Sequence, residues 1–140
     1  MPLSIEEVVP GAVAILETAP LVSDPNVSHP LVHKSFRSGP FLCVSTKNGQ
    51  SMWLALTTQK DDRGLRLKLE GAWLLEGSEV WKSSTQYVSD ARQVYCGPDK
   101  SFVVAGANEL PHQPHNRPQV SSDGVKAVVA EMRKYGKAPL

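Results

Sequence analysis

Cysteine is nearly absent from this 140-residue chain, with only Cys43 and Cys96 present. Each sits among apolar neighbours, Phe41, Leu42 and Val44 for the first and Val94 and Tyr95 for the second. That setting fits buried free thiols, and two cysteines cannot build the disulfide framework of a small secreted domain. Long apolar runs are missing too, none approaching the roughly 18 residues a membrane-spanning helix needs. The opening MPLSIEEVV is acidic where a secretory leader is basic, so the expected location is the cytoplasm and no membrane partner is expected. A formal net charge of only +1 excludes a uniformly basic nucleic-acid binder. No glycine-rich phosphate loop, paired CxxC, HExxH or GxSxG occurs, which leaves nucleotide, zinc and serine-hydrolase chemistry without support. His29 and His33 have the spacing of a helical metal pair, but Pro30 between them forbids that helix. No metal and no cofactor is expected.

What is present describes an ordinary globular chain, 41% hydrophobic and 21% charged. Its length is that of one domain over 1–140, able to bury a core without metal or disulfide. The small net charge hides an asymmetry. Residues 1–29 hold Glu6, Glu7, Glu17 and Asp24 with no Lys or Arg, whereas residues 30–69 hold Lys34, Arg37, Lys47, Lys60, Arg63, Arg66 and Lys68 against Asp61 and Asp62 alone. A polyanion is therefore expected to meet the central segment, and the alternative reading is a solvated charged face.

Gly11 followed by AVAILE reads as a first strand ended by Pro20. Residues 20–40, with Pro20, Pro25, Pro30 and Pro40, read as one long loop. The runs 41–46 and 51–58 are strand-like and are joined by Lys47-Asn48-Gly49-Gln50, where Asn-Gly is a strong hairpin signal. Residues 65–70 alternate strictly and read as the third strand of a meander with one buried face. Further strands are expected over 86–95 and 101–105, with Trp73, Trp81 and Tyr87 packed into or beside the core. A Pro/His-rich connection over 111–122 carries His112 and His115 as exposed loop histidines. It leads to a helix over 122–135, capped by Ser122 or Asp123, with Val125, Val128, Val129 and Met132 on one face and Gly136 as the stop. The fold class expected is mainly β: a small SH3-like barrel of five to six antiparallel strands with a C-terminal α-helix.

Three segments occur in a distinctive order: Gly11–Leu16 (GAVAIL), Pro40–Ser45 (PFLCVS) and Ala55–Gln59 (ALTTQ). In this order and spacing the chain resembles the MazF/PemK (Kid/CcdB-like) toxins of toxin–antitoxin systems, over about residues 8–105. One departure stands out. The family has an arginine directly before the proline of the second segment, whereas here Gly39 holds that place and the nearest arginine is Arg37. The resemblance implies a metal-independent endoribonuclease acting on single-stranded RNA, a homodimer, and neutralisation by an antitoxin protein. In that chemistry the ribose 2′-hydroxyl attacks the adjacent phosphate, the bond to the 5′-oxygen breaks, and a 2′,3′-cyclic phosphate is released.

Such a step needs a proton acceptor, a proton donor and cationic or hydroxyl groups around the charged transition state. Arg37 fits the phosphate clamp, since its planar fork suits phosphate oxygens and its high pKa bars it from acting as a base. Thr57 matches the family threonine and can donate its hydroxyl to the same phosphate; its other reading is a β-former at a strand end. Thr58 is expected on the opposite face. His33 or His29 can move a proton near neutral pH. RNA backbone contacts are expected from Lys34, Lys60 and Arg63, with Phe36 or Trp53 as a stacking plane, Trp53 being the more core-like of the two. The alternative function is a catalytically silent barrel acting as a protein- or nucleic-acid-binding adaptor, which the Gly39 departure favours.

Overall fold

The computed structural model describes residues 2–30, 38–60, 66–112 and 114–140. Its strands are β1 (Val13–Glu17), β2 (Ser38–Lys47), β3 (Gln50–Thr57), β4 (Leu67–Lys68), β5 (Leu74–Leu75), β6 (Tyr87–Val88), β7 (Tyr95–Pro98) and β8 (Gln119–Val120). Its α-helices are α1 (Thr18–Ser23), α2 (Glu79–Ser83), α3 (Asp99–Ala105) and α4 (Ser122–Lys134). The fold is mainly antiparallel β with a C-terminal helix, as expected. Six strands form one sheet in the order β1-β2-β3-β6-β4, with β7 also on β3, and β5 pairs with β8 separately. Among the described residues no ladder joins β1 to β4, the two ends of that order. Among the same residues no helix is long and apolar enough to cross a membrane.

The β2–β3 hairpin organises everything else. Its two-residue turn places Asn48 at φ 52° and Gly49 at φ 78°, the left-handed pair that matches the twist of a tight hairpin. Because Phe41–Val44 and Met52–Leu56 are unbroken apolar runs, the hairpin must be covered on both faces. On one face Leu42, Val44, Met52, Leu54 and Leu56 pack with Trp81, Val88, Val125, Val128 and Met132. On the other, Phe41, Cys43 and Trp53 pack with Leu16, Leu21, Tyr95, Phe102 and Ala105. Helix α4 thus closes one side while α1 and α3 close the other. The Trp53 ring stacks on Phe102 at 5.5 Å and Phe41 meets Tyr95 edge-on at 5.2 Å. Both cysteines are free, and burial pushes the Cys43 thiol up to about 12.

Several expectations are corrected. The segment after β1 is not all loop, because Thr18–Ser23 is helical. Pro20 is tolerated there since it falls in the first turn, where its missing N–H has no helical acceptor to lose. Residues 101–105 are helical rather than extended: Ser101, Phe102 and Ala105 are buried while Val104 is 62% exposed, a spacing that alternation cannot give. A short apolar run does not by itself distinguish the two states. Of residues 86–95 only Tyr87–Val88 and the final Tyr95 are extended. Asp90 breaks the run by accepting from the Arg92 N–H and pairing with its guanidinium at 2.8 Å. The 65–70 segment does not complete a meander, because β6 lies between β3 and β4.

Helix α4 begins at Ser122, as expected, but its cap is Ser121 rather than Ser122 or Asp123. Ser121 Oγ accepts from the Gly124 N–H at 3.2 Å. Gly124 is required there for closeness: a Cβ would stand 2.5 Å from Val120 and 3.0 Å from Trp73. The face of Val125, Val128 and Met132 is buried with Val129 beside it, as expected. The Pro/His-rich connection holds a buried charge the sequence did not announce. Arg117 and Glu109, with side chains only 5% and 1% exposed, pair at 2.9 Å, and Arg117 also meets Glu7 at 2.9 Å. His112 is half-buried rather than an exposed loop histidine, its Nε2 3.2 Å from the Glu109 carboxylate.

Candidate nucleic-acid interface

Thr57 is the last residue of β3, where the strand leaves the shelter of the core. Its hydroxyl oxygen accepts from the Gln59 N–H at 3.2 Å, closing a small turn and leaving the hydroxyl hydrogen to donate elsewhere. Strand pairing then assembles a row across three strands. Thr57 stands opposite Tyr87 on β6, and Tyr87 stands opposite Lys68 on β4. Directly opposed residues share a face with their Cβ atoms about 5 Å apart, so hydroxyl, phenol and ammonium lie side by side. The adjacent row, Leu56, Val88 and Leu67, belongs to the core or packs against it. Alternation therefore turns the polar row away from that core.

Cations gather at the same corner. Arg66 donates from Nη1 to the Gln59 carbonyl at 2.6 Å, which holds its guanidinium beside the exit from β3. Lys60 follows Gln59 directly. Among the described residues Lys60, Arg66 and Lys68 have no carboxylate partner, a state they share with Lys47, Lys100, Lys126, Arg133 and Lys137, whereas Lys82, Arg92, Arg117 and Lys134 are paired. These three cations, without a carboxylate partner among the described residues, and two hydroxyl-bearing side chains form a surface suited to an anion with several oxygens.

The expected site residues are only partly covered. Arg37, His33, Lys34, Phe36 and Arg63 lie outside the described residues. Thr57 and Lys60 do come together at one corner. Trp53 is fully buried against Phe102 with its indole N–H donating to Ser51 Oγ, so it offers no stacking plane. His29 is also excluded as a proton carrier for Thr57. Its neighbour Ser28 pairs with Cys96, which stands opposite Met52. Met52 is five residues from Thr57 along β3, about 16 Å at the strand rise. His29 Nδ1 instead lies 2.7 Å from the Pro30 carbonyl. Among the described residues, no three His, Cys, Asp or Glu converge as metal ligands.

In the sequence Arg66 and Lys68 are members of the basic segment only, and Tyr87 reads as packed into or beside the core; in the structure Tyr87 is half-buried. The Leu-Arg-Leu-Lys-Leu alternation did carry a signal, since it puts both cations on one face. Nothing local announced that β6 would bring Tyr87 between them and Thr57. No family model matches the chain, and no curated protein matches it.

Proposed function

We propose that the chain binds single-stranded RNA at the end of β3 and cleaves it without metal, as an endoribonuclease of the MazF/PemK kind. The observation that carries this reading is the row of Thr57, Tyr87 and Lys68, flanked by Arg66 and Lys60, whose cations have no carboxylate partner among the described residues. In the reaction the 2′-oxygen bonds to phosphorus as its proton leaves, and the 5′-oxygen departs and takes up a proton. Negative charge builds on the non-bridging oxygens meanwhile. Thr57 donates its free hydroxyl hydrogen to one of these oxygens, and Arg66 and Lys68 stabilise the charge without changing protonation state. Arg37 joins them as the phosphate clamp on the strength of the sequence resemblance, which also carries the homodimer and the antitoxin partner.

The test is incubation with a long single-stranded RNA in EDTA, with the new ends analysed for 2′,3′-cyclic phosphate. Thr57→Val keeps the β-branched shape and removes the donor, and is expected to lower the cleavage rate about tenfold or more. Arg37→Ala is expected to lower it as well. RNA that stays intact with the wild-type protein contradicts cleavage. The second reading, binding without cleavage, is favoured by Gly39 in the place of the family arginine, and retained RNA binding in that experiment supports it.

A further inference from the structure

Tyr87 stands apart from the other tyrosines. Tyr95 packs edge-on against Phe41, and Tyr135 lies under the Arg92 guanidinium at 5.7 Å. Tyr87 is half-buried, and among the described residues neither its ring nor its hydroxyl has a partner. It occupies the middle of the polar row, with Thr57 on one side and Lys68 on the other. A phenol ring that served only as packing would belong in the adjacent row with Val88, which is fully buried. A single strand of nucleic acid needs two things from such a surface: cations spaced along its backbone, and an aromatic plane for a base turned out of the stack. Lys68, opposite Tyr87, and Arg66, held at the Gln59 carbonyl, supply the first, and Tyr87 is the one aromatic ring in the row.

We infer that Tyr87 is the stacking platform on which one base of the bound strand rests, with its flanking phosphates held by Lys68 and Arg66. This rests on the RNA-binding reading above and adds to it a residue that senses bases rather than charge. Because every base has a π-face, the contact sets the strand's position without selecting its sequence. The phenol hydroxyl is dispensable for stacking, whereas the ring is not.

The test is fluorescence anisotropy with a labelled 2′-O-methyl single strand, which the protein cannot cleave, and with a strand of equal length lacking its bases. The wild-type protein is expected to bind the base-bearing strand about tenfold more tightly than the abasic one. Tyr87→Phe should keep that preference within about twofold, while Tyr87→Leu should lose it by weakening only the base-bearing strand, by about five- to hundredfold. Equal binding of the base-bearing strand by Tyr87→Leu and wild type, with the base preference intact, overturns the platform and leaves RNA binding standing. Failure of the wild type to bind either strand overturns both. A second measurement on unaltered protein covers a variant that does not fold. Photo-crosslinking of a 4-thiouridine strand is expected to modify Tyr87, and cross-links confined to other residues overturn the proposal.

Discussion

Among the described residues no atom lies within 4 Å of the position a Cβ on Gly39 would take, so a side chain there meets none of them. Phe41 stands opposite Ala55, and two residues further out along each strand Gly39 comes level with Thr57. An arginine at this position therefore projects on the same face as the Thr57 hydroxyl, where the family pattern has its own arginine. Gly39→Arg is expected to leave the thermal unfolding temperature nearly unchanged, as a surface substitution without clash does, and to raise RNA cleavage in EDTA about tenfold. A folded Gly39→Arg protein that cleaves no faster than wild type counts against Thr57 as a phosphate-facing residue. The same residue-level logic separates Trp53 from Tyr87: both are aromatic residues in strand segments, but Trp53 is fully buried against Phe102, whereas Tyr87 is half-buried opposite the last residue of β3, a difference fixed by distant chain.

Among the elements, β1 shows how an edge strand is protected. Its outer side is closed by side chains rather than by another long strand. Glu109 accepts from the Ile15 N–H at 2.7 Å, Arg117 donates to the Val13 carbonyl at 3.3 Å, and the two pair with each other. An edge whose backbone groups are already satisfied cannot recruit a second chain. Glu109→Ala leaves the buried guanidinium without that carboxylate and the Ile15 N–H without its acceptor, and is expected to cost about 3 kcal/mol in denaturant unfolding. A loss below about 1 kcal/mol contradicts the clasp. Its outer member adds a pH dependence. Burial alone pushes the Glu7 carboxyl up, but hydrogen bonds from Arg117 and Ser4 outweigh it and hold the group below its ordinary 4.5. With the folded value the lower one, the contribution of Glu7 is complete above pH 4.5 and is lost as pH falls through that lower value.

The elements also mark what was legible. The β2–β3 hairpin and α4 could be read because their signals are local: Asn48-Gly49 between apolar runs, and a valine face with Gly136 behind it. Helix α3 reads as a strand because four apolar residues, Phe102 to Ala105, fit a buried strand as well as a buried helix. The clasp went unseen because Glu7, Glu109 and Arg117 are joined only by the fold. For the candidate site, Thr57 and Lys60 were legible as neighbours in sequence, whereas the contribution of β6 is a matter of strand order.

At the scale of the whole molecule, the acidic and basic segments of the chain are put to different uses. Acidic residues of the first segment are tied into the structure, Glu7 to Arg117, Asp24 to Ser101 and Glu17 to Asn108. Of the basic residues of the central segment, Lys60, Arg66 and Lys68 are instead left without a carboxylate partner among the described residues where β3 ends. A net charge of +1 thus coexists with a locally cationic corner, and on the proposed reading an anionic strand is steered there and its binding weakens with salt. The most direct check is a backbone amide NMR titration with a short single-stranded, 2′-O-methyl RNA. The account predicts shifts concentrated at Thr57 to Lys60, Arg66 to Lys68 and Tyr87, fading as salt is raised. Shifts centred on α3 or on the face of α4, with that corner silent, would contradict it.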